Sequence, residues 1–410
     1  MRASGILLDI ASLHSHSGVG TLADVEKLID FLREAKQRYW QIAPVNPTVG
    51  AGTLRALSSS IAANTLLIDA DELAASGLIC EETLLASKCA RGCDLSYAVQ
   101  HKEAILREAF VNFEKMNPSA DFVDFCDANA WWLDDYSLFC ALKERFANKP
   151  WWQWDDGARL RNVSALESWR NTLADEIDFV VFCQYIFDKQ WRELRKKLAS
   201  NGIKLIGTIP LHLSYDSADV WAHPDLFIGA ESLRFNATTA TGNGRKSIQS
   251  VTSGIARCDF RAMKRNGYKW WSDRLNKCAE RFDLLRISDF SAPESYFAVK
   301  WEQKILAKRH LCGKDELAAT CKIFDGFAPF EVVFADTSLV HCDIKTLASS
   351  THELVVYCMQ DLLAETASIG KDKACAPSDP YYMIDRGDLS QANAKYLSQL
   401  TIESNRVCND

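Results

Sequence analysis

The sequence predicts an α/β fold built on a largely parallel sheet, and two observations carry that prediction. Short apolar runs alternate with longer segments whose apolar residues recur at helical spacing, the order that arises when crossover helices join parallel strands. The chain is also long and mixed enough to bury a sizeable core, with 410 residues of which 48% are hydrophobic and 25% charged.

The elements follow in order. Residues 5–10, Gly5-Ile6-Leu7-Leu8-Asp9-Ile10, form the first strand candidate. Residues 22–35 place Val25, Leu28, Ile29, Phe31 and Leu32 on one helical face. Residues 38–45 are the second strand, which Pro44 and Pro47 end because proline lacks an amide donor. Residues 70–200 read as mostly helical, interrupted by Trp151-Trp152-Gln153-Trp154. That length exceeds a single crossover, so a helical subdomain inserted at 70–200 is expected. Its last helix stops at Asn201-Gly202, a C-cap signal, and leads into a third strand at residues 203–210. A helix over residues 268–281, with Trp270, Trp271, Leu275 and Cys278 on its apolar side, precedes a fourth strand at 283–290. Further strands are expected at 330–336 and 353–358. Residues 367–410, with Pro377, Pro380 and several Ser and Asn, read as a loosely structured C-terminal tail.

Composition excludes several classes. A formal net charge of −7 argues against a protein that grips nucleic acid through its phosphates. No run approaches the 18 or so apolar residues of a membrane span, and the N-terminal apolar run is too short for a signal peptide, so a cytosolic location is expected. Fourteen cysteines are scattered without a CxxC pair; Cys89 and Cys93 are the nearest two. Free thiols are expected, with neither a disulfide framework nor a metal site. His14 and His16 have ligand-like spacing but no third ligand nearby, and read as a solvated loop. Gly18-Val19-Gly20 is a tight turn rather than a phosphate cradle. No cofactor is expected.

Six ordered blocks carry a resemblance. Residues 2–8 (Arg-Ala-Ser-Gly-Ile-Leu-Leu), 37–42 (Gln-Arg-Tyr-Trp-Gln-Ile), 64–69 (Asn-Thr-Leu-Leu-Ile-Asp), 215–227, with Ser217-Ala218-Asp219-Val220-Trp221 at their centre, 266–271 (Asn-Gly-Tyr-Lys-Trp-Trp) and 360–363 (Gln-Asp-Leu-Leu) resemble the signature blocks of the 4-α-glucanotransferases, also called amylomaltases or disproportionating enzymes. The resemblance implies a (β/α)8 TIM-type barrel over residues 1–366 with the helical subdomain inserted. It also implies retaining transfer of α-1,4-glucan segments.

Retaining transfer needs a nucleophilic carboxylate and a second carboxyl acting as acid and base, about 5–5.5 Å apart. Barrel strands deliver such groups at their C-terminal ends. Where the family's fourth strand carries Arg-Ile-Asp-His, this chain reads Arg286-Ile287-Ser288-Asp289, so the resemblance puts Ser288 at the nucleophile position. Asp289 would replace it only if the strand bulged or slipped by one residue, and the flanking Leu284, Arg286 and Ile287 argue for an unshifted register. A serine hydroxyl without a neighbouring base is a poor substitute. The acid/base position falls on Asp336 in place of the family's Glu, one methylene shorter. The family's seventh-strand Gly-Thr-His-Asp-Asn block has no counterpart. Only about twenty residues lie between Asp336 and the last strand, too few for two further βα units, so the barrel is expected to be incomplete at strands six and seven.

The sugar-contact positions implied by the resemblance are changed as well. An aromatic run of the family is replaced by residues 53–61, with Arg55 where a tyrosine stands and Ser58 where a phenylalanine does, which removes flat surfaces for pyranose stacking. In the third-strand Gly-Asp-Ile-Pro block the carboxylate has become Thr208. Arg286, Thr208, His212 and Arg55 are the residues expected to line the substrate side. Asp216 and Asp219 are read as loop braces. The leading expectation is a homologue with catalysis lost or impaired that acts by binding a protein or a maltooligosaccharide. The alternatives are an active transferase using Asp289 and Asp336, and an unrelated use of Ser288, His212 and Asp289.

Overall fold

The computed structural model describes residues 2–49, 57–88, 95–210, 213–228, 238–239, 247–248, 255–288, 297–300, 331–333, 335–336, 344–349, 353–366, 384 and 387–407. Its centre is an eight-stranded sheet in the order Glu331–Val333, Phe297–Lys300, Leu284–Ser288, Lys204–Pro210, Tyr39–Ile42, Ala3–Leu7, Leu354–Cys358, Ala335–Asp336. The strands from Leu284–Ser288 through to Ala335–Asp336 pair in parallel, each to the next. Phe297–Lys300 is antiparallel to both of its neighbours.

Side-chain alternation sorts this sheet into two faces. One face packs Ala3, Ile206, Leu284, Leu354 and Val356 into a small cluster of their own, with Leu7 and Tyr39 against it. Residues of the other parity, Ile6, Trp40, Leu205, Leu285, Val355 and Tyr357, join the large core that the helices cover. Trp40 is fully buried there, and its indole N–H donates to the Leu8 carbonyl at 2.7 Å, so the ring's polar atom is satisfied. Burial of an aromatic of this size contributes about 2–3 kcal/mol.

Helix ends are set by local geometry. Glu26–Glu34 buries Leu28, Ile29, Phe31 and Leu32, the face read from the sequence. It stops as Lys36 turns left-handed (φ 58°), which lets the Gln37 N–H bond back to Leu32 O at 2.8 Å. Ala174–Ser200 closes the same way on Gly202 (φ 67°), with Ile203 N–H on Leu198 O at 3.1 Å. Glycine pays no Cβ penalty in that conformation. The chain then enters Lys204–Pro210 at once, and at Gly207 a Cβ would lie 2.4 Å from the Phe282 ring, so that ring lies against the strand where no side chain would fit.

Between the second and third strands the structure is helical, including Leu95–Glu114, Ala120–Arg145 and Ala174–Ser200. This insertion is tied to the loop after the third strand by the Lys143–Asp216 ion pair at 2.7 Å and by Trp151 Nε1 donating to Tyr215 O at 2.7 Å.

Two expectations change. The strand read at 330–336 divides at Phe334 into Glu331–Val333, on one edge of the sheet, and Ala335–Asp336, on the opposite edge. The strand Phe297–Lys300 was not legible in the sequence, and it occupies the place beside the fourth strand where a parallel strand was expected. From Asp336 to Leu354 the described residues contain one helix, Ile344–Ser349, and no further strand.

The C-terminal residues are also more ordered than their composition suggests. Gln391–Glu403 is a helix, N-capped by Ser390, whose hydroxyl accepts from Asn393 N–H. Gln37 Nε2 donates to Thr401 Oγ1 at 2.9 Å, and the fully buried Arg406 donates to the carbonyls of Ala348 (3.1 Å) and Ala3 (3.3 Å). The end of the chain therefore fastens the first strand to the segment before the last.

Candidate active site at the C-terminal ends of the strands

Parallel strands end together, and the inward face changes from apolar to polar toward those ends. Above the cluster of Ile206 and Leu284, the next inward positions on their strands are Thr208 and Arg286, which are Cα partners. Arg286 is buried, as are Thr208 and Gln41. Gln41 Nε2 donates to Thr208 Oγ1 at 3.5 Å, a long bond, and the Gln41 Oε1 atom is buried without a hydrogen bond among the described residues.

Asp9 completes this layer from the loop after the first strand. Its Oδ1 accepts from the Ala43 N–H at 2.6 Å. Burial pushes its carboxyl up to about 6, opposed by that N–H and by the positive charge of Arg286. Cys358, at the end of the last strand, has its thiol pushed up to about 11 by burial and by neighbouring carboxylates that include Asp361 and Asp9. Sequence reasoning took Asp9 as part of a strand and missed it. The usable signal was a lone carboxylate at the end of an apolar run.

Of the residues expected to form the site, the structure brings together Arg286 and Thr208. Ser288 is the final residue of its strand, and its backbone pairs with Pro210 in the same register that pairs Arg286 with Thr208. Pairing runs unbroken from Leu284 to Ser288, without a bulge. Asp336 ends the short strand that pairs with Leu354 and Val355. Asp289, His212 and Arg55 lie outside the described residues, as do Cys89 and Cys93.

The loops around this end are braced. Asp219 accepts from Ser60 N–H at 2.8 Å, from the Ser60 hydroxyl, and from Trp270 Nε1 at 3.0 Å. Asp216 accepts from Trp151 N–H at 3.2 Å and from Lys143. His14 and His16 meet edge to face, 5.9 Å between ring centroids. Among the described residues there is no group of three or more His, Cys, Asp or Glu placed to hold a metal, the described cysteines are free thiols, and no helix is long and apolar enough to cross a membrane.

Comparison with known proteins gives this geometry a family. Residues 8–324 match the sequence profile of glycoside hydrolase family 77, described as 4-alpha-glucanotransferase. The chain is 35% identical over 302 residues to the 4-alpha-glucanotransferase of Thermus thermophilus, a match covering 73% of this chain and 60% of that protein. It is 33% identical over 303 residues to the enzyme of Streptococcus pneumoniae TIGR4, again with 73% and 60% covered, and 33% identical over 307 residues to that of Aquifex aeolicus, with 74% and 62% covered. The chain thus spans about 60% of the length of these relatives. The fold superposes on a solved amylomaltase from Streptococcus agalactiae in complex with acarbose, with a TM-score of 0.79 and 22% identity, covering 99% of this chain and 100% of that one. With the barrel strands, the ordered sequence blocks and these matches in agreement, the chain belongs to the 4-alpha-glucanotransferase family, glycoside hydrolase family 77.

Proposed function

We propose that this chain is a family member that binds α-1,4-glucan without transferring it. The observation that carries the reading is the unbroken pairing of Leu284–Ser288 with Lys204–Pro210. A bulge or slip of one residue is what Asp289 would need to take the place of the nucleophile, and the register supports Ser288 in that place instead.

Other features support the same reading. The third-strand carboxylate of the family is Thr208 here. The acid/base position carries Asp336, and a displacement of about 1 Å can cost about a hundredfold in such geometry. The family's substrate class supports a glucan as ligand.

The test is incubation of the purified chain with maltotriose, followed by detection of glucose and longer oligomers. The reading predicts no disproportionation. Turnover that disappears in Asp289→Ala would instead establish an active transferase with a relocated nucleophile.

A further inference from the structure

A cavity of about 230 Å³ lies away from the strands of the central sheet, none of which contributes to its lining, where four segments meet, one of them the stretch that holds Ser59 and Ile61. The helix Ala120–Arg145 contributes two pairs at i, i+4 spacing, Trp131 with Asp135 and Trp132 with Tyr136. The helix Lys269–Arg281 contributes Trp270 and Asp273 from its first turns, and the segment around Ala218–Ala222 supplies the floor.

Two of its aromatic walls are held rigidly. Trp132 Nε1 donates to Asn129 Oδ1 at 2.9 Å, and Tyr136 packs against its ring. Trp270 donates to Asp219 and meets Phe227 and Trp271 edge to face, with centroids at 5.3 and 5.1 Å. Trp131 differs from both, since it is 51% exposed. An indole that large gains from burial, and this one stands beside a concave surface with its ring in water.

Polar groups edge the same cavity. Asp135 is bonded to Arg161 at 2.7 Å and Asp273 to Lys269 at 2.6 Å, so each carboxylate is fixed in place and keeps lone pairs for further donors. Flat aromatic faces rimmed by oriented hydrogen-bonding groups match a pyranose, which has apolar C–H faces and an equatorial belt of hydroxyls. A lipid tail has no donor to replace the water on the free lone pairs of these carboxylates, at a desolvation cost.

We propose that this outer cavity is a saccharide site that takes a short segment of α-1,4-glucan, with Trp131 as its stacking platform. The volume suits a short segment rather than a whole chain, being below the roughly 300–1,000 Å³ of enclosing ligand pockets. The proposal rests on the glucan-binding reading above and relocates the binding from the site that the family blocks imply, in whose sequence Arg55 and Ser58 replace aromatic residues, to a cavity with four aromatic residues in its lining.

The experiment is calorimetric titration of maltoheptaose into the wild-type chain, Trp131→Ala and Trp131→Phe, with thermal melts to confirm folding. Trp131 is half exposed, so neither change opens a core. The site predicts saturable binding, weakened about tenfold or more in Trp131→Ala and held within about threefold in Trp131→Phe. Equal binding by wild type and Trp131→Ala overturns the outer site while leaving glucan binding intact. Absence of binding by the wild type overturns both.

Discussion

Arg286 lies directly across from Thr208 on the neighbouring parallel strand, and both occupy the inward face of the sheet. At this level the third strand offers a hydroxyl, and the fourth ends in Ser288. The positive charge of Arg286 is met from the loop after the first strand, by Asp9.

Asp9 carries a pH signature. Its folded carboxyl titrates near 6 against an ordinary value of 3.8. The folded state therefore holds the proton more tightly than the unfolded one, and stability falls as pH rises from about 4 to about 6. Asp9→Asn keeps an acceptor for Ala43 N–H and removes the half-buried charge. Its melting temperature should exceed wild type at pH 7, by at most about 3 kcal/mol in stability, and match it below pH 4. A lower melting temperature at pH 7 would mean that attraction to Arg286 outweighs burial.

Asp283 should behave in the opposite sense. Burial raises its carboxyl, but two bonds from Arg195 (2.5 and 2.7 Å) and one from Leu205 N–H (2.7 Å) outweigh that and leave it below the ordinary range. The stabilisation is present above about pH 4 and is lost as pH falls further. Asp283→Ala should cost about 2–3 kcal/mol at pH 7 in urea denaturation, because it frees the start of the strand that carries Arg286. An unchanged midpoint would show that the pair is not structural.

The C-terminal clasp is testable by a single change. Arg406 serves the carbonyls of Ala3 and Ala348 from a fully buried position. Arg406→Ala should cost about 2–4 kcal/mol by leaving those acceptors without donors, visible as a lower urea midpoint. Wild-type stability in that variant would return residues 391–407 to the status of a dispensable tail.

The parts of the fold that were legible in the sequence are those with local causes. Strands at Ala3–Leu7, Tyr39–Ile42, Lys204–Pro210, Leu284–Ser288 and Leu354–Cys358 follow from apolar runs next to amphipathic helices, and Asn201-Gly202 announced its cap. Phe297–Lys300 and the split at Phe334 were not, since pairing with a distant partner leaves little trace in a four-residue run. The helix Gln391–Glu403 was hidden by a polar composition that its packing partners override. Within the site, Arg286 and Thr208 were read from the family blocks, whereas Asp9 required the fold, because its meaning comes from a strand far away in sequence.

The central claim is that the nucleophile position holds Ser288 and forms no glycosyl bond. Its most direct test is intact-mass spectrometry of the chain after incubation with an activated α-glucosyl fluoride donor, with peptide mapping of any adduct. The account predicts an unmodified mass at all times sampled. A glycosyl ester mapped to Asp289 or Asp336 would contradict it.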